Sequence, residues 1–101
     1  MDDVCNRIVN AISERAYGDV SIFSDGYCVG FRIVNNGEFF VHSFTWSDMR
    51  NIRSCGPKFV TDVFCKRYYE SLSARYGNEF DPSKYFKSIF LDMIAAKRRL
   101  K

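Results

Sequence analysis

Two dipeptides, Asp25-Gly26 and Asn36-Gly37, stand between three short runs rich in β-branched and aromatic residues, and they leave few folds open. Asp-Gly and Asn-Gly suit two-residue hairpin turns, which need positive φ at both central positions. Runs 20–24, 27–35 and 38–45 therefore predict three strands in an antiparallel meander of order 1-2-3. With Asp25-Gly26 as the loop, Ile22 faces Val29 and Val20 faces Phe31. Opposed residues share a face, so Val20, Ile22, Val29, Phe31 and Ile33 form one apolar surface on which the first helix is expected to pack.

The second hairpin has two readings. A two-residue Asn36-Gly37 loop pairs Phe31 with His42 and Ile33 with Phe40, placing Phe40, His42 and Phe44 on the core face. A three-residue Asn35-Asn36-Gly37 loop with a glycine bulge pairs Ile33 with Phe39 and Phe31 with Val41. His42 then lies on the other face, opposite Gly30 and near Arg32. A slip of one residue carries every side chain of the strand across the sheet. Either way large apolar groups stand on both faces, and the sheet is expected to be covered on both sides, at least in part.

Helices flank the meander. Val4, Ile8 and Ile12 recur at helical spacing and predict a helix over 3–16, with Asp2 and Asp3 suited to its N-terminus. Thr45-Trp46-Ser47-Asp48 resembles a capping start for a short helix carrying Met49 and Ile52. Pro57 is placed to open a helix over 57–76, and Gly77 to end it. Asp81-Pro82 reads as the cap and first residue of a last helix reaching residue 100, with Phe86, Ile89, Phe90, Met93, Ile94 and Leu100 along one stripe. The fold class is α+β: a three-stranded antiparallel meander preceded by one helix and followed by one short and two longer helices (αβββααα), in a single domain over 1–101.

Cysteine spacing bounds the class further. Cys5, Cys28, Cys55 and Cys65 form no close pair, and His42 is the only histidine, so a zinc knuckle is excluded and no cofactor is expected. The N-terminus is acidic and lacks the apolar run of a signal peptide. No apolar stretch is long enough to span a membrane. These features predict a cytoplasmic chain with four reduced thiols. Its 47% apolar and 17% aromatic content suffices for one core without staples.

Catalytic constellations are absent from the pattern. Any nucleophile–base pair must use His42, and only the bulged register sets Cys28 near it on one face. The carboxylates occupy caps and turns rather than one helix face. There is no glycine-rich nucleotide loop. The expectation is a non-enzymatic binding protein.

Charge is divided along the chain: residues 1–50 carry a net −3 and residues 51–101 a net +6. Lys97, Arg98, Arg99 and Lys101 account for much of the excess and suit the end of a helix. Arg50, Arg53 and Lys58, around the helix start at Pro57, are candidate contacts for an anion or nucleic acid. Helix 57–76 is apolar around most of its circumference, yet Arg67, Ser71 and Arg75 run up the middle of the apolar arc. A helix packed on two sides accounts for this, with arginine stems lying along apolar surface. So does an exposed patch of Arg67, Tyr68, Leu72 and Arg75, residue types found at protein interfaces. The αβββα order is similar to that of double-stranded RNA-binding domains. The basic cluster that opens the last helix of that fold is missing, with Phe59-Val60-Thr61 in its place. A protein partner is therefore expected, bound through the Tyr/Arg helix face or the second sheet face, in the manner of small inhibitors carried by phages and mobile elements. Nucleic acid binding by the basic C-terminal half is the alternative.

Overall fold

A computed structural model describes the backbone of residues 2–55 and 57–99, and the side chains of residues 3–50 and 57–96. The element order is α1 (Asp2–Arg15), β1 (Asp19–Ser24), β2 (Cys28–Asn35), β3 (Glu38–Thr45), α2 (Trp46–Cys55), α3 (Pro57–Tyr76) and α4 (Ser88–Arg99). Two 3-10 turns, Gly77–Glu79 and Pro82–Lys84, join α3 to α4. The sheet is antiparallel in the order β1-β2-β3. This is the αβββααα arrangement that the turn dipeptides and helical periodicities predict.

The second hairpin takes the two-residue loop. Asn36 and Gly37 adopt φ of 52° and 82°, and Phe31 pairs with His42 and Ile33 with Phe40. The bulged register is thereby excluded, and Phe40, His42 and Phe44 face the core.

The first hairpin departs from the expected pairing. Ile22 pairs with Phe31 and Val20 with Ile33, because the turn is centred on Gly26-Tyr27 rather than Asp25-Gly26. The Asp25 carboxylate accepts the backbone N–H of Tyr27 at 2.7 Å and of Cys28 at 2.8 Å, and the Asp25 N–H donates to the Cys28 carbonyl at 3.0 Å. A side-chain oxygen that captures two turn amides outweighs the preference of Asp-Gly for the central positions. The Trp46 indole donates to the Asp25 carbonyl at 3.1 Å and fixes the turn against the start of α2. Moving the loop by one residue shifts the register by two, so the expected apolar face survives with new partners.

The core lies between that face and the helices. Cys5, Ile8, Ile12 and Ala16 of α1 meet Val29, Phe31, Ile33 and Phe44 of the sheet and Val60, Phe64, Cys65, Tyr68 and Leu72 of α3. α3 is packed on two sides. Towards the sheet, Phe64 and Tyr68 approach Phe40 with ring centroids 5.3 and 5.2 Å apart. Away from it, Tyr68 meets Phe86 at 5.2 Å and Tyr69 meets Phe80 at 5.1 Å. Double-sided packing is why this helix is apolar around most of its circumference.

Caps close the remaining elements. Thr45 and Asp48 form a reciprocal box at the start of α2, with Asp48 N–H to Thr45 Oγ1 at 3.1 Å and Thr45 N–H to Asp48 Oδ2 at 3.2 Å. The last helix starts later than Asp81-Pro82 predicts. Asp81 caps only a 3-10 turn, through Ser83, and the chain then extends to pair Phe86 with Ala16. Tyr17 N–H donates to the Tyr85 carbonyl and Lys87 N–H to the Arg15 carbonyl, both within 2.9 Å. These bonds serve the end of α1 and use extended backbone, so a helix through residue 86 is not formed. The Arg15 guanidinium also donates to the Asp62 carboxylate, tying α1 to α3.

Candidate functional site

The four α3 residues expected at a contact separate into two pairs. Tyr68 and Leu72 are 3% and 4% exposed, inside the core, so they form no surface patch. Their side chains are the ones a helix packed on two sides must bury. Burial pushes the Tyr68 hydroxyl up to about 12 and keeps it protonated. Arg67 and Arg75 do reach solvent. Arg67 lies 4.0 Å from Glu70, and Arg75 lies 3.7 Å from Glu38, which also accepts the Tyr76 hydroxyl. Glu38 is thus the counter-charge of Arg75. Arg50 and Lys58 are exposed, while the side chains of Arg53 and Cys55, Gly56 and the basic run 97–101 lie outside the described residues.

The larger exposed feature is the other face of the sheet. Sheet parity sends Phe23 of β1, Cys28, Gly30, Arg32 and Val34 of β2, and Phe39, Val41 and Ser43 of β3 away from the core. The three large apolar groups Phe39, Phe23 and Val41 are 64%, 45% and 38% exposed. All the packed helices contribute to the core cluster on the opposite side. The expectation of cover on both faces is corrected here: α1 and α3 both pack on the inner face, and among the described residues no helix is left for the outer one. Arg32 holds its guanidinium 5.6 Å from the centroid of the Phe39 ring. The face therefore offers aromatic and aliphatic surface with one cation stacked into it.

Other chemistry is sparse. His42 is on the inner face and Cys28 on the outer one, so they cannot act as a pair. His42 stacks on Phe40 and meets Phe44 edge-on, and burial followed by the Arg67 charge lowers its pKa. Burial raises the Cys65 thiol to about 12, which makes it a poor nucleophile. No three His, Cys, Asp or Glu side chains gather to hold a metal among the described residues. None of the described helices is long and apolar enough to cross a membrane.

Phe23 and Phe39 escape a reading based on helix periodicity because their exposure depends on where the helices pack. One signal was present in the sequence: strands with apolar residues at both parities followed by only enough helix to cover one face. Comparisons with protein-family models, with curated proteins and with solved structures return no match.

Proposed function

We propose that this chain is a small non-enzymatic protein that acts in the cytoplasm by occupying a protein partner, in the manner of an inhibitor. The observation that carries this reading is the outer sheet face, where Phe23, Phe39 and Val41 stand exposed around Arg32. Aromatic residues and arginine are the types enriched at the centres of protein interfaces. Arg67 and Arg75 stand on the other side of the sheet, beside His42 and Glu38, and take no part in this contact.

A photocrosslinking residue at Val41 tests the reading in cells. The expected result is one discrete protein adduct that disappears with Phe39→Asp, a change at a position too exposed to disturb the fold. The same crosslinker at Ser73, exposed on α3, should give no such adduct. Equal labelling from both positions, or an adduct that persists with Phe39→Asp, would sink the proposal. A nucleic-acid adduct whose formation falls steeply with salt would favour the basic half as the contact instead.

A further inference from the structure

We infer that β1 is a docking edge, on which an extended segment of the protein partner adds as a fourth strand with basic residues at both of its ends. This rests on the protein-binding reading above and names how the partner enters.

The first ground is the free hydrogen-bonding capacity of β1. The strand pairs with β2 alone. The bond from Asp25 N–H to the Cys28 carbonyl sets the alternation along the hairpin, so residues 19, 21 and 23 bond to β2. Val20, Ile22 and Ser24 then aim their N–H and C=O groups at the open edge. Among the described residues, no backbone bond outside the sheet involves residues 20–24, and the bridge through Phe86 stops at Ala16 and Tyr17. At the opposite edge, α3 sets Arg67 close enough to His42 to disfavour a second positive charge there.

The second ground is that the strand is unguarded. Every residue of β1 except Val20 is exposed. Ile22 on the inner face is 37% exposed, so apolar surface flanks the edge on both sides together with Phe23. Proteins commonly block such edges with lysine, proline or a bulge. Asp19-Val20-Ser21-Ile22-Phe23-Ser24 has none of these devices, and its only charge is at one end.

Charge selects the occupant. Asp19 opens the strand and Asp25 follows it, and the N–H groups of Tyr27 and Cys28 hold the Asp25 carboxyl below its usual range. Nearby on α1, Glu14 is exposed, and the one exposed arginine, Arg7, is paired with Asp3 at 3.3 Å. Arg15 is engaged by Asp62. A second copy fits poorly. A two-fold axis through Ile22 sets Asp19 of one chain opposite Asp25 of the other at both ends. A different chain with a β-branched centre and Lys or Arg at its ends satisfies the edge, the flanking apolar groups and the acids together.

The test uses the acetylated and amidated peptide Lys-Val-Ser-Val-Thr-Val-Lys, its counterpart with glutamate at both ends, and amide exchange read by NMR. The expected result is saturable protection of the Val20, Ile22 and Ser24 amides by the lysine peptide, with those of Ser21 and Phe23 already protected. The glutamate peptide should bind at least tenfold more weakly at low salt, and Asp19→Lys should shrink that difference. Absence of protection at the three amides, or equal binding of the two peptides, overturns the inference. So does protection that grows with protein concentration alone while the sedimenting mass doubles, which would make a second copy the occupant. Phe39→Asp, two strands from the edge, separates the two proposals. If it abolishes the cellular adduct while the peptide fails to bind, the docking edge is wrong and the protein-binding reading stands. If the peptide binds and the adduct is indifferent to Phe39, the outer face is not the contact and the docking edge stands.

Discussion

The tip of the Phe23 ring lies on Gly30, its cross-strand partner, so closely that a Cβ added to Gly30 would stand 2.0 Å from the ring. The glycine leaves a bare patch of backbone in the middle strand, and the aromatic ring of the edge strand covers it. The outer face is therefore flatter than its composition implies, with Phe23 lying along the sheet.

Gly30→Ala should tip Phe23 off the sheet. The ring is at an exposed edge and can swing aside, so the cost falls at the low end for overpacking, about 1 kcal/mol. Phe23→Ala should remove most of that penalty. A double-mutant cycle by urea denaturation checks this, with strongly non-additive effects expected for two residues in contact.

Leu72→Ala should destabilise by about 3 kcal/mol, as expected for a leucine lost from a core. Arg67→Glu should leave stability within about 0.5 kcal/mol of the parent, as for an ordinary surface position. Urea midpoints of the two variants decide whether the inner and outer sides of α3 are divided as described. A Leu72→Ala variant as stable as Arg67→Glu would contradict the packing.

Stability should decline as pH falls below about 6.5, the ordinary histidine value. His42 has a folded pKa below its unfolded one, through burial and then the Arg67 charge. Its contribution is complete above the unfolded pKa and is lost as the pH drops through that value towards the folded one. His42→Gln should flatten the slope between pH 7 and 5. Asp25 and Asp81, whose pKa values are also lowered, add their own loss only in the carboxylate range. Thermal melts across pH 2–8 separate the two windows.

Native alkylation should label Cys28 and spare Cys65. Both are free thiols, but Cys28 is half-buried at the end of β2 whereas Cys65 is buried with its thiol raised to about 12. Peptide mapping after brief iodoacetamide treatment at pH 8 should find Cys65 modified only once denaturant is present.

Local chemistry made much of the fold legible. Asn36-Gly37 determined its turn because both positive-φ positions suit those residues, and Thr45-x-x-Asp48 formed its cap from adjacent atoms. Asp25-Gly26 misled because the Asp25 side chain took a bonding role that the dipeptide pattern ignores. Residues 82–87 were misread for a related reason: the end of α1, some 70 residues earlier, needed their backbone groups more than a helix did. The candidate site was legible only in part. Tyr68 and Leu72 look alike whether they face a core or a partner, and a packing partner such as Phe86 decides between those outcomes. The counter-charge of Arg75 was hidden as well, because Glu38 is near it in space and far from it in sequence.

The bonds joining the end of α1 to residues 85–87 also govern when the chain can fold. The Lys87 ammonium donates to the Ser13 carbonyl at 2.7 Å across 74 residues. At about 5–20 residues per second, that partner is made roughly 4–15 s after Ser13. Until then Ile8 and Ile12 wait for Phe86 and Phe90, and the sheet is left with an unfinished cover on its inner face. A nascent chain thus carries apolar surface on both sides of three short strands while residues 46–87 are being made. Chaperones meet that surface before the core can close.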